Sequence, residues 1–383
     1  MKSILIIFVI FITTSCNGQS INDYKSNALP EKQSLNEWLD STIVSSLKKN
    51  NKPSAAIGII KDGKIVYSKG YGTLSRRNKQ PVISSSVFQI ASVSKMFTGL
   101  LVSHLIAEGK LNLDEKITTY LSNILTDEAK SNFSDVTVGH LMQHTAGIPN
   151  YGCSVYLKAK QGGKFYWEKG YSRNEFISDL NKMKPEYTPG TNQSYSNSGY
   201  NIVGLILEEV TGKSYEDLLK LYIINPLNLE YTFISPSAQQ KETIVIPYAP
   251  SSPMKLSKFS NWGYATPATG IFSSVDDLLK IMDRQAAAYK VFEETGEVSP
   301  YVLLNRPDLD NTLEFNYGLG FFERKGPNGE ILFQHDGDAD GYTIFYTIDP
   351  QLNLGKVLIT SSGGDWFLEL DKQIENKILR KDK

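Results

Sequence analysis

The chain has 383 residues, 40% apolar and 21% charged, with a formal net charge of −1. That length admits two average domains or one large unit carrying an insertion, with a sizeable core in either case. No basic block of the kind that nucleic acid selects is present, so no nucleic-acid partner is expected.

In chain order, MKSILIIFVIFITTSCNGQS sets Lys2 ahead of an apolar run, Ile4 to Ile12, that ends in small residues at Cys16. The run is too short to span a bilayer as a helix and reads as a secretory signal over 1–15. Cys16 after Thr-Thr-Ser resembles the lipobox of bacterial lipoproteins, with Thr13 where leucine is usual. That resemblance implies lipid attachment at Cys16 and a membrane anchor; the alternative is an ordinary cleaved signal. Either way the protein is expected to be exported, as a periplasmic or outer-membrane lipoprotein or in secreted form. Cys153 then remains the single unmodified cysteine, which excludes an intramolecular disulfide and a zinc site needing two thiolates.

Residues 16–33 are polar and aperiodic, a tether, and a domain over 34–380 follows. SLNEWLDSTIVSSLKK opens with Ser34 and Glu37 in capping-box spacing and predicts an amphipathic helix. SAAIGIIKDGKIVYSKGYG is two β-rich runs joined by Asp62-Gly63, a hairpin signal. From Val93 to Glu108 the pattern is helical and stops at Gly109. Helical patterns with long Pro/Gly/Ser loops dominate about 110–300. From about 315, β-runs return in YGLGFFERK, ILFQH, YTIFYTID and KVLITSS, before a helical WFLELDKQIENKILRK. The expected fold is α/β (α+β), with an antiparallel sheet built from N- and C-terminal segments, flanked by helices, and an inserted helical region. The lack of alternating β-α units argues against a doubly wound parallel sheet.

Three motifs carry chemistry, each with a bland alternative. Ser-x-x-Lys recurs in the chain, as at Ser45/Lys48 and Ser252/Lys255, where a solvated face explains it. Ser92/Lys95 differs because it opens an apolar helix: the pair lies one turn apart, the helix N-terminus faces Ser92, and apolar neighbours favour a neutral lysine. Tyr195-Ser196-Asn197 precedes a helical run, so it either projects a phenol and an amide together over a site or merely caps the helix. His335-Asp336-Gly337 ends one β-run and leads into the next, and a polar hairpin turn is its bland reading.

Taken in this order the three motifs resemble the serine β-lactamase/penicillin-binding-protein-like family. The closer resemblance is to its class C-related branch of D-peptidases, D-aminopeptidases and family VIII esterases. KDGKIVYSKGYG, VTVGHLMQHTAGIPNY, ATGIFSSVDDLLK and NYGLGFF resemble it too, so the likeness runs from roughly 35 to 380. It implies the β-lactamase/transpeptidase-like fold, Ser92 as acylated nucleophile, Lys95 as its base, and Tyr195 sharing base duty and activating the deacylating water. It implies Asn197 on Lys95 and on the substrate, His335 in the place of a lysine, Gly337 beside it, and Ser92 and Asp338 N–H groups as the oxyanion hole. No metal and no organic cofactor is implied.

Several patterns imitate other sites. His140 and His144 in HLMQH have zinc-like spacing without the glutamate of H-E-x-x-H. TGKS at 211–214 imitates a P-loop tail, but Leu207 stands where glycine is needed, and a helix end capped by Gly212 is the better reading. DGDADG, 336–341, matches half an EF-hand loop but has Thr347 at position twelve. The nucleophile elbow G-x-S-x-G is absent. Asp336, Asp338 and Asp340 would repel a substrate carboxylate if they face the cleft, which favours neutral or amine-bearing substrates; otherwise they face solvent or pair with cations. The functions left open are an exported ester or amide hydrolase, a D-Ala-D-Ala carboxypeptidase or β-lactamase, and a non-catalytic penicillin-receptor-like binding protein. The partner is a small-molecule or peptide substrate.

Overall fold

The computed structural model describes residues 34–152, 170–257, 261–305 and 317–379. Cys16, Cys153, the signal and the tether therefore lie outside the described residues. Ser34 caps helix α1 (Leu35–Lys49) with its hydroxyl on the Glu37 amide and the Glu37 carboxylate on its own N–H, the capping box read from sequence. Strands β1 (Ser54–Lys61) and β2 (Lys64–Gly72) follow, joined by Asp62-Gly63 with φ of 52° and 69°. Positive φ at both turn residues is what a two-residue hairpin of this twist requires, and glycine takes it without strain.

The chain returns to this hairpin only near its end, with β3 (Phe322–Lys325), β4 (Ile331–Ala339), β5 (Tyr342–Asp349) and β6 (Leu354–Thr360). Together they form a six-stranded antiparallel sheet in the order β2-β1-β6-β5-β4-β3, with Ile57 opposite Leu358 and Gly337 opposite Ile344. The expected architecture, N- and C-terminal strands closing one antiparallel sheet, is what forms. Two details differ from the sequence reading. Of YGLGFFERK only Phe322 onward is strand. His335-Asp336-Gly337 lies inside β4, which continues to Ala339, and the turn into β5 is Asp340-Gly341, both at positive φ. Pairing with β5 holds this acidic stretch extended, and no local signal announces that pairing.

Strand alternation divides the core. Ala55, Ile57, Ile59, Phe345 and Leu358 face α1 and the C-terminal helix, whose buried residues include Leu39, Ile43, Phe367, Leu370 and Ile374. Fully burying each such aliphatic side chain contributes roughly 1.5–3 kcal/mol. Ala56, Ile60, Ile344, Tyr346, Val357 and Ile359 face the opposite way, into the larger core shared with the helical region. There, Val275–Thr295 lies so close on β1 that a Cβ at Gly58 would sit 2.6 Å from Leu279. Helix α2 (Ser94–Ala107) is buried nearly all round, against the start of Asn197–Thr211, the Thr266–Thr269 turn and Pro300–Leu303. Its N-terminus meets the edge of β4, and the candidate site lies at that junction. Among the described residues no helix is long and apolar enough to cross a membrane.

Candidate active site

Ser92 sits in a single 3-10 turn, Ala91–Val93, directly ahead of α2. Ala91 before it holds φ at 47°, a strained value for a residue with a Cβ. The turn is pinned by β4: a Cβ at Gly337 would lie 2.9 Å from the Ile90 carbonyl oxygen and from the Ser92 nitrogen. Glycine is needed there for close approach, and the consequence is a rigid Ser92 whose side chain stays half-buried and reachable.

Lys95, one helical turn on, is fully buried. Its Nζ lies 2.6 Å from Asn197 Oδ1, 2.8 Å from the Ala268 carbonyl oxygen and 3.3 Å from Ser92 Oγ. All three are uncharged oxygens. Burial, with no counter-charge among the described residues, drives the ammonium well below its ordinary value of 10.5 and favours the neutral amine. The ammonium-bearing atom also lies 4.7 Å from the centre of the Tyr195 ring.

Tyr195 and Asn197 do converge over this pair, and Ser196 between them also caps the helix that follows, Asn197–Thr211, labelled α4 with Val138–Met142 as α3. Both readings of the Tyr-Ser-Asn motif thus hold at once. The Tyr195 phenol hydrogen-bonds the Ser92 side chain, and burial pushes its pKa up, against the phenolate. Asn197 is aimed by Asn150, whose Oδ1 accepts from the Asn197 backbone N–H at 3.0 Å and from its amide at 2.8 Å. The Asn150 carbonyl accepts from Ser198 N–H at 3.0 Å, so one residue holds the first turn of α4 and its amide group together.

His144 belongs to the same wall. Its φ is 62°, its Nδ1 accepts the Ser196 N–H at 3.1 Å, and its ring lies 4.4 Å from Tyr195 and 4.7 Å from Tyr317. With Nδ1 accepting, the proton resides on Nε2, which is buried and has no partner among the described residues. Burial, then Lys95 and His335, hold the imidazole well below its usual range. His140 instead accepts the Thr137 N–H through Nδ1 in a capping box. The two rings of HLMQH therefore serve different neighbours.

His335 is buried, its Nδ1–H donating to the Asp336 carbonyl at 2.7 Å and its Nε2 accepting from the Tyr317 hydroxyl at 3.0 Å. Burial first, and Lys95 next, bring its pKa down to about 3. It is a neutral imidazole with both nitrogens engaged inside the protein, and it presents no charge where the family resemblance implies a lysine. Of the aspartates, Asp338 accepts the Thr343 hydroxyl, and Asp340 occupies the β4–β5 turn. Asp336 is exposed and lines a cleft of about 500 Å³ with His144, Tyr195, Phe322 and Arg324. DGDADG is thus split between strand and turn. TGKS is a helix end, with Gly212 at φ 66° as the cap of α4 and Ser214 capping the next helix.

Sequence reasoning missed Asn150, His144, Tyr317 and the Ala268 carbonyl. His144 was visible only as half of a zinc-like pair. Asn150 and Ala268 lie inside stretches that resemble the family, IPNY and ATG, but nothing local singles them out.

A family model described as Beta-lactamase matches residues 39–377. "Protein flp" of Staphylococcus aureus (strain MW2) is 25% identical over 349 residues, 90% of this chain and 66% of that protein, so the chain spans just under two thirds of that relative's length. A "Beta-lactamase" of Pseudomonas fluorescens is 26% identical over 249 residues, 65% of this chain and 64% of that protein. The octameric penicillin-binding protein homologue from Pyrococcus abyssi superposes with a TM-score of 0.74 at 26% identity, covering 89% of this chain and 77% of that one.

Proposed function

The chain belongs to the Beta-lactamase family, and from that premise we propose that it is an exported serine hydrolase that cleaves an ester or amide bond through an acyl-enzyme on Ser92. The observation that carries this reading is the buried Lys95 surrounded by neutral oxygens. A neutral amine has two N–H groups and one lone pair. Asn197 Oδ1 and the Ala268 carbonyl take the two N–H groups, which leaves the lone pair for the Ser92 hydroxyl proton.

In acylation, Ser92 Oγ forms a bond to the substrate carbonyl carbon as its proton passes to Lys95 Nζ. The oxyanion is held by the Ser92 and Asp338 N–H groups, each such donor contributing roughly 2.7–4 kcal/mol to the transition state. The carbon–oxygen or carbon–nitrogen bond to the leaving group then breaks, and the leaving group takes a proton through the Tyr195 hydroxyl, which Lys95 replenishes. The raised pKa of Tyr195 suits a neutral relay better than a phenolate base, and this modifies the role that family resemblance implies for it. Water attacks the acyl-enzyme by the reverse path. His335 and Gly337 act on structure, the one fixing Tyr317 and the other seating the Ser92 turn.

A cell-wall D-Ala-D-Ala carboxypeptidase or β-lactamase is the second reading, favoured by the similarity to the Pseudomonas fluorescens protein. A non-catalytic binding protein is disfavoured by the presence of Ser92, Lys95 and Tyr195 together. The test is a hydrolysis panel, wild type against Ser92→Ala, on a short p-nitrophenyl ester, a D-alanyl amide, D-Ala-D-Ala and nitrocefin, with fluorophosphonate labelling of Ser92. Turnover that falls at least about 10³-fold in Ser92→Ala supports the hydrolase; absence of labelling and of Ser92-dependent turnover supports the binding protein.

A further inference from the structure

The cleft beside Tyr195 has a composition the acyl-transfer chemistry does not use. Its walls are aromatic: Phe322 stands 4.5 Å from Tyr317 and 5.4 Å from His335, with Tyr195 and His144 opposite. Gln193, Gln334 and the Glu323 carboxylate complete its lining, and Arg324 is the one arginine or lysine among the described lining residues. Arg324 is committed to Glu375 at 2.5 Å and to Gln334 at 2.5 Å, burial holds His144 well below its usual range, and Lys95 and His335, which lie outside the lining, are lowered by burial as well. Asp336 is exposed on the cleft wall and no side-chain cation pairs with it among the described residues. Its neighbour Asp338 is already engaged by Thr343. A second feature points independently to an occupant. His144 is 2% exposed, lines the cleft, and carries an Nε2–H with no acceptor among the described residues. A bound molecule would supply the oxygen that this donor lacks.

We propose that this cleft is a specificity pocket for a leaving group carrying a positive charge, with Asp336 as its counter-charge and the Phe322 and Tyr195 rings as its walls. Resting on the hydrolase reading above, the assignment to the leaving-group side follows from Tyr195. The hydroxyl that would hand a proton to the departing atom belongs to a residue lining this cleft. A quaternary or primary ammonium suits such a pocket because the aromatic faces attract cations and the carboxylate needs one. An anionic leaving group would meet Asp336 with like charge in a partly desolvated cleft and be disfavoured.

The test uses three butyrate esters: that of choline, that of its uncharged carbon isostere 3,3-dimethylbutanol, and that of 3-hydroxypropanoate. Hydrolysis is followed in a pH-stat for the full exported chain. Wild type is expected to prefer the cationic over the neutral ester on the order of tenfold in kcat/KM, with the anionic ester slowest. In Asp336→Asn the ratio falls toward one, and in Asp336→Lys the order of cationic and anionic esters reverses. A wild-type ratio near one, or a ratio unmoved by both substitutions, overturns the proposal. Calorimetric binding of choline itself to wild type and Asp336→Asn reads the pocket without turnover. Loss of a wild-type signal in the variant supports the proposal, and no wild-type binding at millimolar choline counts against it. Equal, Ser92-dependent turnover of all three esters would leave the hydrolase standing and remove the pocket. Choline binding without Ser92-dependent turnover would do the opposite.

Discussion

Two lysines, Lys95 and Lys356, are buried to the same degree and set among opposite kinds of partner. Lys95 is wholly buried and Lys356 is 1% exposed. With Val275–Thr295 labelled α5 and the C-terminal helix Asp365–Leu379 labelled α6, Lys356 projects from β6 toward α6, where it pairs with Asp371 and, at 3.3 Å, with Glu375. Arg324 joins through Glu375 at 2.5 Å, so the cluster of two cations and two carboxylates ties β3, β6 and the helix together. Burial pushes Asp371 up despite its partner. For Glu375 the same burial is outweighed by Lys356 and Arg324, and its pKa falls. On the other side of the sheet Lys95 has amide, carbonyl and hydroxyl oxygens and, among the described residues, no carboxylate. Burial alone does not make a lysine a base: the charge of its partners decides whether it rests as an ammonium holding structure or as an amine able to take a proton.

The comparison can be broken most forcefully by removing each lysine in turn. Lys95→Met is expected to lower kcat/KM by about 10⁴-fold or more. Its stability should move by less than about 1 kcal/mol, because relief of desolvation and loss of two hydrogen bonds oppose each other. Steady-state kinetics and urea unfolding read both quantities. A loss of stability comparable to that of Lys356→Met would show that Lys95 is structural after all. Lys356→Met should do the reverse. It leaves two carboxylates buried beside a single arginine and is expected to cost about 3–5 kcal/mol in urea unfolding, with Ser92 labelling per folded molecule retained.

A finer test makes the two lysines alike. Asn197→Asp places a carboxylate where the amide oxygen lies 2.6 Å from Lys95 Nζ. An opposite charge at that distance raises the lysine's pKa, by roughly 1–3 units. Under the proposed mechanism the neutral amine is the active form, so the acid limb of the kcat/KM profile should move to higher pH by the same amount. Below the new value activity should fall relative to wild type, and it should recover as pH rises through that value. An unmoved acid limb would mean that another group controls it. The sign is fixed by linkage: in wild type the depressed Lys95 pKa means the unfolded chain binds the extra proton between that value and 10.5, so this group's contribution to stability rises with pH across that window.

Much of this was legible from residues a few positions apart. The Ser34/Glu37 capping box, the Asp62-Gly63 turn, the Gly212 cap and the one-turn spacing of Ser92 and Lys95 are set by backbone sterics and hydrogen bonds within one or two turns, and each is found where local reasoning puts it. The order of the three motifs with their flanking blocks carried the family resemblance, and β-runs at both ends of the chain pointed to the antiparallel sheet.

What tertiary structure alone decided has a common cause: a buried group's behaviour depends on what the rest of the fold sets against it. The Ala268 carbonyl is 173 residues from Lys95 and Asn197 is 102 residues away, so no spacing rule foretells that the amine meets only neutral acceptors. Asn150 gains its role because the first turn of α4 docks on it, and His335 turns inward because Tyr317 offers a hydroxyl to its Nε2. Asp336 and Asp338, two apart on β4, look equivalent as letters. One receives the Thr343 hydroxyl from β5 and the other is left facing the cleft, because strand pairing chose their neighbours. Local chemistry determined which groups could react, and long-range packing determined their charge, their aim and the company they keep.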